Sequence, residues 1–76
     1  MNVYIIEKAQ DYDAPSIILG VFTTLEGAQR WITNPKLHAD VESARDDMDE
    51  NDPHDTVDAY WYDGRYTRIR EVALQN

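Results

Sequence analysis

The sequence predicts an α+β domain of two layers, a four-stranded antiparallel sheet with two helices on one face, in ββααββ order. Three observations lead there. Runs rich in β-branched and aromatic residues bracket the chain over 3–9, 16–23, 57–62 and 65–74; two stretches between them repeat apolar residues at helical spacing; and Asp63-Gly64 separates the last two runs.

Taken in order, the first two runs read as strands of a hairpin. Pro15 biases Ala14 towards extended backbone, so residues 11–15 form its loop. Thr23 with Glu26 three residues on fits a capping box, and Leu25, Ala28, Trp31 and Ile32 then share one face of a helix over 24–33 that stops before Pro35. Leu37, Val41, Ala44 and Met48 recur at i, i+4, i+7 and i+11, a narrow arc at about 100° per residue. Asp40, Glu42, Asp46, Asp47, Asp49 and Glu50 spread over the opposite side. This predicts a second, acidic helix with Pro35 in its first turn. Residues 51–56, with Pro53 inside, end it, and the carboxylates at its C-terminus oppose the helix dipole and predict fraying.

Asp63-Gly64 suits a type I′ turn, because both central residues need positive φ. Counting outward from it places Trp61 opposite Tyr66 and Ala59 opposite Arg68 on one face. Tyr60 then lies opposite Thr67, and Tyr62 opposite Arg65, on the other.

Seventy-six residues make a single domain, 1–76, which buries only about 60% of the surface its unfolded chain exposes. Fifteen Asp and Glu against seven Lys and Arg leave a net charge of −8, and nine of the carboxylates fall in 40–58, where Arg45 is the one fixed positive charge. Such a surface repels phosphate backbones and anionic lipid, which argues against direct nucleic-acid or membrane binding. There is no Cys, no basic and apolar leader, and no apolar stretch near ~20 residues, so the expected setting is the cytoplasm.

The first two strands carry a further expectation. Val3 and Ile5 face one side and Tyr4 and Ile6 the other, while Ile17, Leu19 and Val21 oppose Ile18 and Phe22. A solvated face would alternate with polar residues. With helices on one face only, the second face calls for a cover, and an isologous copy in a homodimer is the commonest for a small protein. The aromatic ribbon of Tyr60, Trp61, Tyr62, Tyr66 and Arg68 is a candidate contact surface, since Tyr and Arg often anchor interfaces; cross-strand packing alone also accounts for it.

Motifs for chemistry are sparse. Asp47-x-Asp49-x-Asn51 has the opening spacing of a calcium loop, but Asp52 stands where glycine is needed, Pro53 follows, and Asp58 replaces the bidentate Glu at the twelfth position. Divalent-ion binding by 47–58 is therefore the secondary reading. His38 and Glu42 one helical turn apart supply only two ligands, and His54-Asp55 lacks a nucleophile to serve. Neither serine has an elbow motif and the three glycines form no phosphate loop, so the chain reads as a non-enzyme without cofactor. Carboxylates at helical spacing stand about 5–6 Å apart, close to the charge spacing of a nucleic-acid backbone. The predicted acidic helix, Asp40, Glu42, Asp46, Asp47, Asp49 and Glu50, is thus a candidate nucleic-acid mimic for a basic groove, or else a solubilising face.

Val3-Tyr4-Ile5-Ile6-Glu7, a Tyr12-Asp13 turn, Leu19-Gly20-Val21-Phe22-Thr23-Thr24 leading into a helix with Ala28 and Ile32, and a Tyr-rich closing strand pair with Arg70-Glu71-Val72 resemble a family of uncharacterised small phage and bacterial α+β proteins. The likeness covers the first third of the chain and its last ten residues, and the acidic middle departs from it. It implies a phage-borne accessory protein that binds or inhibits a host factor, and it carries over no site residue; the acidic-mimic reading would make that factor a host nucleic-acid-binding protein.

Overall fold

The computed structural model describes residues 1–9 and 15–74. Five strands and one α-helix follow one another as β1 (Asn2–Lys8), β2 (Ile17–Phe22), α1 (Leu25–Thr33), β3 (Val41–Ser43), β4 (Thr56–Tyr62) and β5 (Arg65–Ala73), with one turn of 3-10 helix at Arg45–Asp47. The strands form a single antiparallel sheet in the order β2-β1-β5-β4-β3. Its centre is therefore the last strand of the chain, laid against the first. Leu74 N–H donates to the Met1 carbonyl at 2.8 Å and Ala9 N–H to the Tyr66 carbonyl at 2.9 Å, extending that pairing at both ends.

The helix packs on one face. Ile6, Ile69 and Tyr60 from the three central strands meet Ala28 and Ile32 of α1, and Tyr4, Leu19, Phe22, Leu25, Trp31, Val41 and Tyr62 close around them. These residues share a face because register pairs Ile6 with Ile69, Tyr4 with Phe22, and Val41 with Tyr62. An extra residue on β2, between the Ile6–Gly20 and Glu7–Ile18 pairs, makes a bulge. A side chain at Gly20 would meet the Phe22 ring at 2.9 Å, so glycine there is what lets the ring lie back across the strand. A row of tilted and edge-on rings, Phe22–Trp31–His38–Tyr62, runs along the helix side.

The α1 boundaries agree with the periodicity, but the cap is one residue later than the sequence places it. Thr24, not Thr23, is in extended conformation, and its hydroxyl accepts the Gly27 N–H at 2.9 Å. The β4–β5 hairpin follows the turn chemistry: Asp63 and Gly64 have φ of 53° and 72°, and the pairs Trp61–Tyr66, Ala59–Arg68, Tyr60–Thr67 and Tyr62–Arg65 all form. The loop expected over 11–15 lies outside the described residues apart from Pro15.

The predicted architecture is corrected in the middle of the chain. Instead of four strands and two helices in ββααββ order, the described residues are mostly β, with five strands and one α-helix. No acidic helix forms. Asp40 precedes β3, Glu42 lies in β3, Asp46 and Asp47 in the 3-10 turn, and Asp49 and Glu50 in the bend that follows. The apolar repeat that predicted the helix is divided among different environments: Val41 joins the core, Ala44 is buried beside β4, and Leu37 is exposed.

The physical reason lies in the aspartates. Asp and Asn are weak helix formers, because their short side chains bond to nearby backbone. Asp49 Oδ1 accepts the Asn51 N–H at 2.8 Å, and Asp52 Oδ2 accepts the Asp49 N–H at 3.1 Å. Val41–Ser43, in turn, gains a ladder with β4, pairing Glu42 with Trp61.

Gly64 has nothing within 4 Å of where a Cβ would stand, so only its left-handed backbone resists substitution. Gly64→Ala should therefore lower unfolding free energy by about 1 kcal/mol. In a thermal melt this is a fall of about 4–8 °C for a domain of this size, with the folded spectrum unchanged.

Candidate functional site

Two clusters organise the polar residues. The first is built on Asp58, which faces the helix and is fully buried. Arg45, just beyond β3, approaches it with both ends of its guanidinium, Nε to Oδ1 at 2.6 Å and Nη2 to Oδ2 at 3.1 Å. Gln29 of α1 donates at 2.9 Å, the Tyr60 hydroxyl at 2.8 Å and the Ala59 N–H at 2.9 Å. Burial alone would raise the Asp58 pKa; the donors from Arg45, Gln29, Tyr60 and Ala59 outweigh it and hold the carboxyl at about 2. Burial, with donation to Asp58, pushes the Tyr60 hydroxyl up to about 12, and Asp58 raises the Arg45 pKa further above its already high value.

The second cluster lies on the other face of the sheet. There Arg68 and Arg70 of β5 both reach Glu7 of β1, at 2.8 and 3.3 Å. Arg70 also makes a two-pronged pair with Asp55, at 2.7 and 3.0 Å, and Arg68 lies 3.5 Å from Asp52. The Tyr66 hydroxyl donates to Asp52 at 2.8 Å, and the Trp61 indole N–H to Asp47 at 3.1 Å. This lattice lowers the Asp55 pKa through Arg70, while burial and then Asp52 raise the Tyr66 pKa. Its effect is to tie the chain from Asp47 to Asp55 onto Trp61, Tyr66, Arg68 and Arg70 of the second face. That face is thus partly covered by the chain itself, rather than left wholly for a second copy.

The acids now separate into two groups. Asp52, Asp55 and Asp58 each hold an arginine. Among the described residues Asp40, Glu42, Asp46, Asp47, Asp49 and Glu50 have no cationic partner. Although not helical, these six stay together, along β3 and the turns that follow it. Beside them is a cleft of about 280 Å³ lined by Ala39, Asp40, Val41, Glu42, Trp61 and Gly64. Trp61 is 37% exposed, and its ring is set edge-on to Tyr66 at 5.7 Å and held by Asp47.

The aromatic ribbon is divided between the two faces: Trp61, Tyr66 and Arg68 lie on the second face, Tyr60 and Tyr62 in or against the helix-side core. His38 lies between the Trp31 and Tyr62 rings, while Glu42 pairs with Trp61 on the opposite side, so the two do not form a ligand pair. Asp55 of the His54-Asp55 pair is engaged by Arg70. Asp47 and Asp49 are committed to Trp61 and Asn51, and among the described residues no group of three or more potential ligands could hold a metal ion.

Sequence reasoning missed the Asp58 cluster and the Glu7 lattice, because their members are separated by up to 63 positions. One signal was available: a lone arginine within an acidic run, which a buried acid nearby would claim.

The folded Asp58 pKa of about 2 lies below the unfolded value of about 3.9. Its contribution to stability is therefore complete above about pH 5 and lost as pH falls towards 2. The loss should be about 2 kcal/mol, read by denaturant unfolding at successive pH values. Asp58→Asn should flatten that part of the profile and lower stability at neutral pH. Compared with known proteins, the chain matches no family model, no curated protein and no solved structure.

Proposed function

We propose that this chain is a non-enzymatic protein-binding module that docks its acidic edge onto a basic surface of another protein. The observation that carries this reading is the separation of the acids: Asp52, Asp55 and Asp58 are paired with arginine, whereas of the six acids with no cationic partner among the described residues Asp40 and Glu42 line the cleft and Asp47 holds its exposed tryptophan. Leaving six like charges together costs stability through mutual repulsion. A partner's lysines and arginines would relieve that cost. Trp61 offers an aromatic face, and a cation beside both an indole and carboxylates is favoured on both counts. A cleft of this size, below the usual range for metabolite pockets of about 300–1,000 Å³, fits the end of one side chain.

The resemblance to small phage and bacterial proteins makes a host factor, such as a nucleic-acid-binding protein, a natural owner of that basic surface. The carboxylates, on a strand and two turns, lack the regular ladder that would copy a phosphate backbone, so charge and not shape mimicry supports the reading. Divalent-ion binding draws no comparable support, since the relevant side chains are committed elsewhere.

The combined variant Asp40→Asn, Glu42→Gln, Asp46→Asn, Glu50→Gln spares the two acids that hold Trp61 and Asn51. Its melting temperature should equal or exceed that of the wild type. Proteins retained from source-cell lysate by the immobilised wild type, and released by salt, should bind the purified variant about tenfold more weakly. Trp61→Leu should weaken binding about two- to fivefold. Equal retention by wild type and the four-site variant would discard the proposal.

A further inference from the structure

We propose that the free edge of β2 is the seam of a symmetric dimer, in which two copies pair antiparallel to make one continuous ten-stranded sheet. This is independent of the partner reading above. The two edges of the sheet differ in kind. β3 has the usual protections of an edge strand: it has only three residues, bears Glu42, and follows Asp40. β2 has six residues, and residues 15–25 contain no charged side chain. Ile17, Ile18 and Val21 are 45%, 59% and 57% exposed along it.

Charge locates where a second copy can pair. Two chains of net charge −8 repel each other wherever their acidic edges meet, but β2 stands at the far side of the sheet from β3. Joined through β2, the two β3 edges lie about 40 Å apart, nine strand spacings. This far exceeds the screening length of about 8 Å at physiological salt. No other edge-to-edge contact between copies keeps the acids so far apart.

The bulge makes the seam self-complementary. Register puts Val21 with Ile5 and Ile18 with Glu7, so Ile18 and Val21 share the second face although three residues apart. A two-fold axis between them sets Ile18 of one copy opposite Val21 of its partner, and Val21 opposite the partner's Ile18. Apolar pairs of this kind are the ordinary cement of antiparallel strands. They would extend the apolar strip formed on the same face with Val3, Ile5 and Val72, which are half-buried there.

Sedimentation equilibrium over a range of concentrations tests this directly. The wild type should sediment at twice the 8.8 kDa chain mass. Ile18→Lys with Val21→Lys, at positions exposed enough to leave the monomer folded, should sediment as one chain, while Leu37→Lys, equally exposed elsewhere, should remain a dimer. Amide exchange distinguishes edge pairing from face stacking: the β2 N–H groups that point away from β1 should become protected as concentration rises. A monomeric wild type overturns the proposal and leaves the edge to an extended segment of another protein. A dimer that survives the double lysine variant, or forms without β2 protection, overturns it as well.

Discussion

A single buried carboxylate sets the arrangement of the central region. Asp58 lies within β4, faces the helix, and has no access to water. Such a group is tolerated only when its charge is met by donors. It recruits them from three places: Gln29 fixes the helix over the sheet, Tyr60 fixes its own strand, and Arg45 fixes the chain just beyond β3. The one positive charge in a run of nine acids is thereby consumed by the one acid of that run that is fully buried. Arg45 stands where the chain changes course, in the 3-10 turn between β3 and the segment on the opposite face. The residues before it pair with β4, and those after it turn across the opposite face.

The second face shows the same logic at lower burial. Glu7, Arg68 and Arg70 would be costly on an apolar sheet surface as isolated charges. As a lattice with Asp52, Asp55 and Tyr66 they instead pin a loop over it. The sheet is divided as a result. The part under β4 and β5, with Glu7 of β1, is closed by polar contacts from within the chain, and β2 carries the exposed apolar Ile18 and Val21. Among the described residues the acids likewise divide into those paired with an arginine and those with no cationic partner.

What could be read from the sequence follows this division between local and distant causes. The Asp63-Gly64 turn and the pairs outward from it were legible, because turn chemistry and the two-residue period of a strand act over a few positions. So was α1, where Leu25, Ala28, Trp31 and Ile32 repeat on one face. The acidic stretch was misread because Leu37, Val41, Ala44 and Met48 imitate a helical stripe, while the deciding contact, Arg45 with Asp58, spans thirteen positions. The weak helix propensity of its aspartates was the local sign pointing the other way. Of the candidate site, the Trp61–Tyr66 pair and the six outward acids could be named from sequence, but the cleft could not, since Ala39 and Gly64 reach it only through the β3–β4 pairing.

The position of β5 has a consequence for how the molecule is made. Its ladder with β1 joins residues 59–71 positions apart, from Lys8 with Thr67 at the near end to Asn2 with Ala73 at the far end of the register, and domains dominated by such remote pairings fold slowly. On the ribosome, the first hairpin and the helix emerge well before the strand that will separate β1 from β4. Until that strand arrives, β1 has an unsatisfied backbone edge and the apolar residues of the future core have no floor. In this interval the chain exposes apolar surface and a strand edge, the condition under which partly folded chains associate.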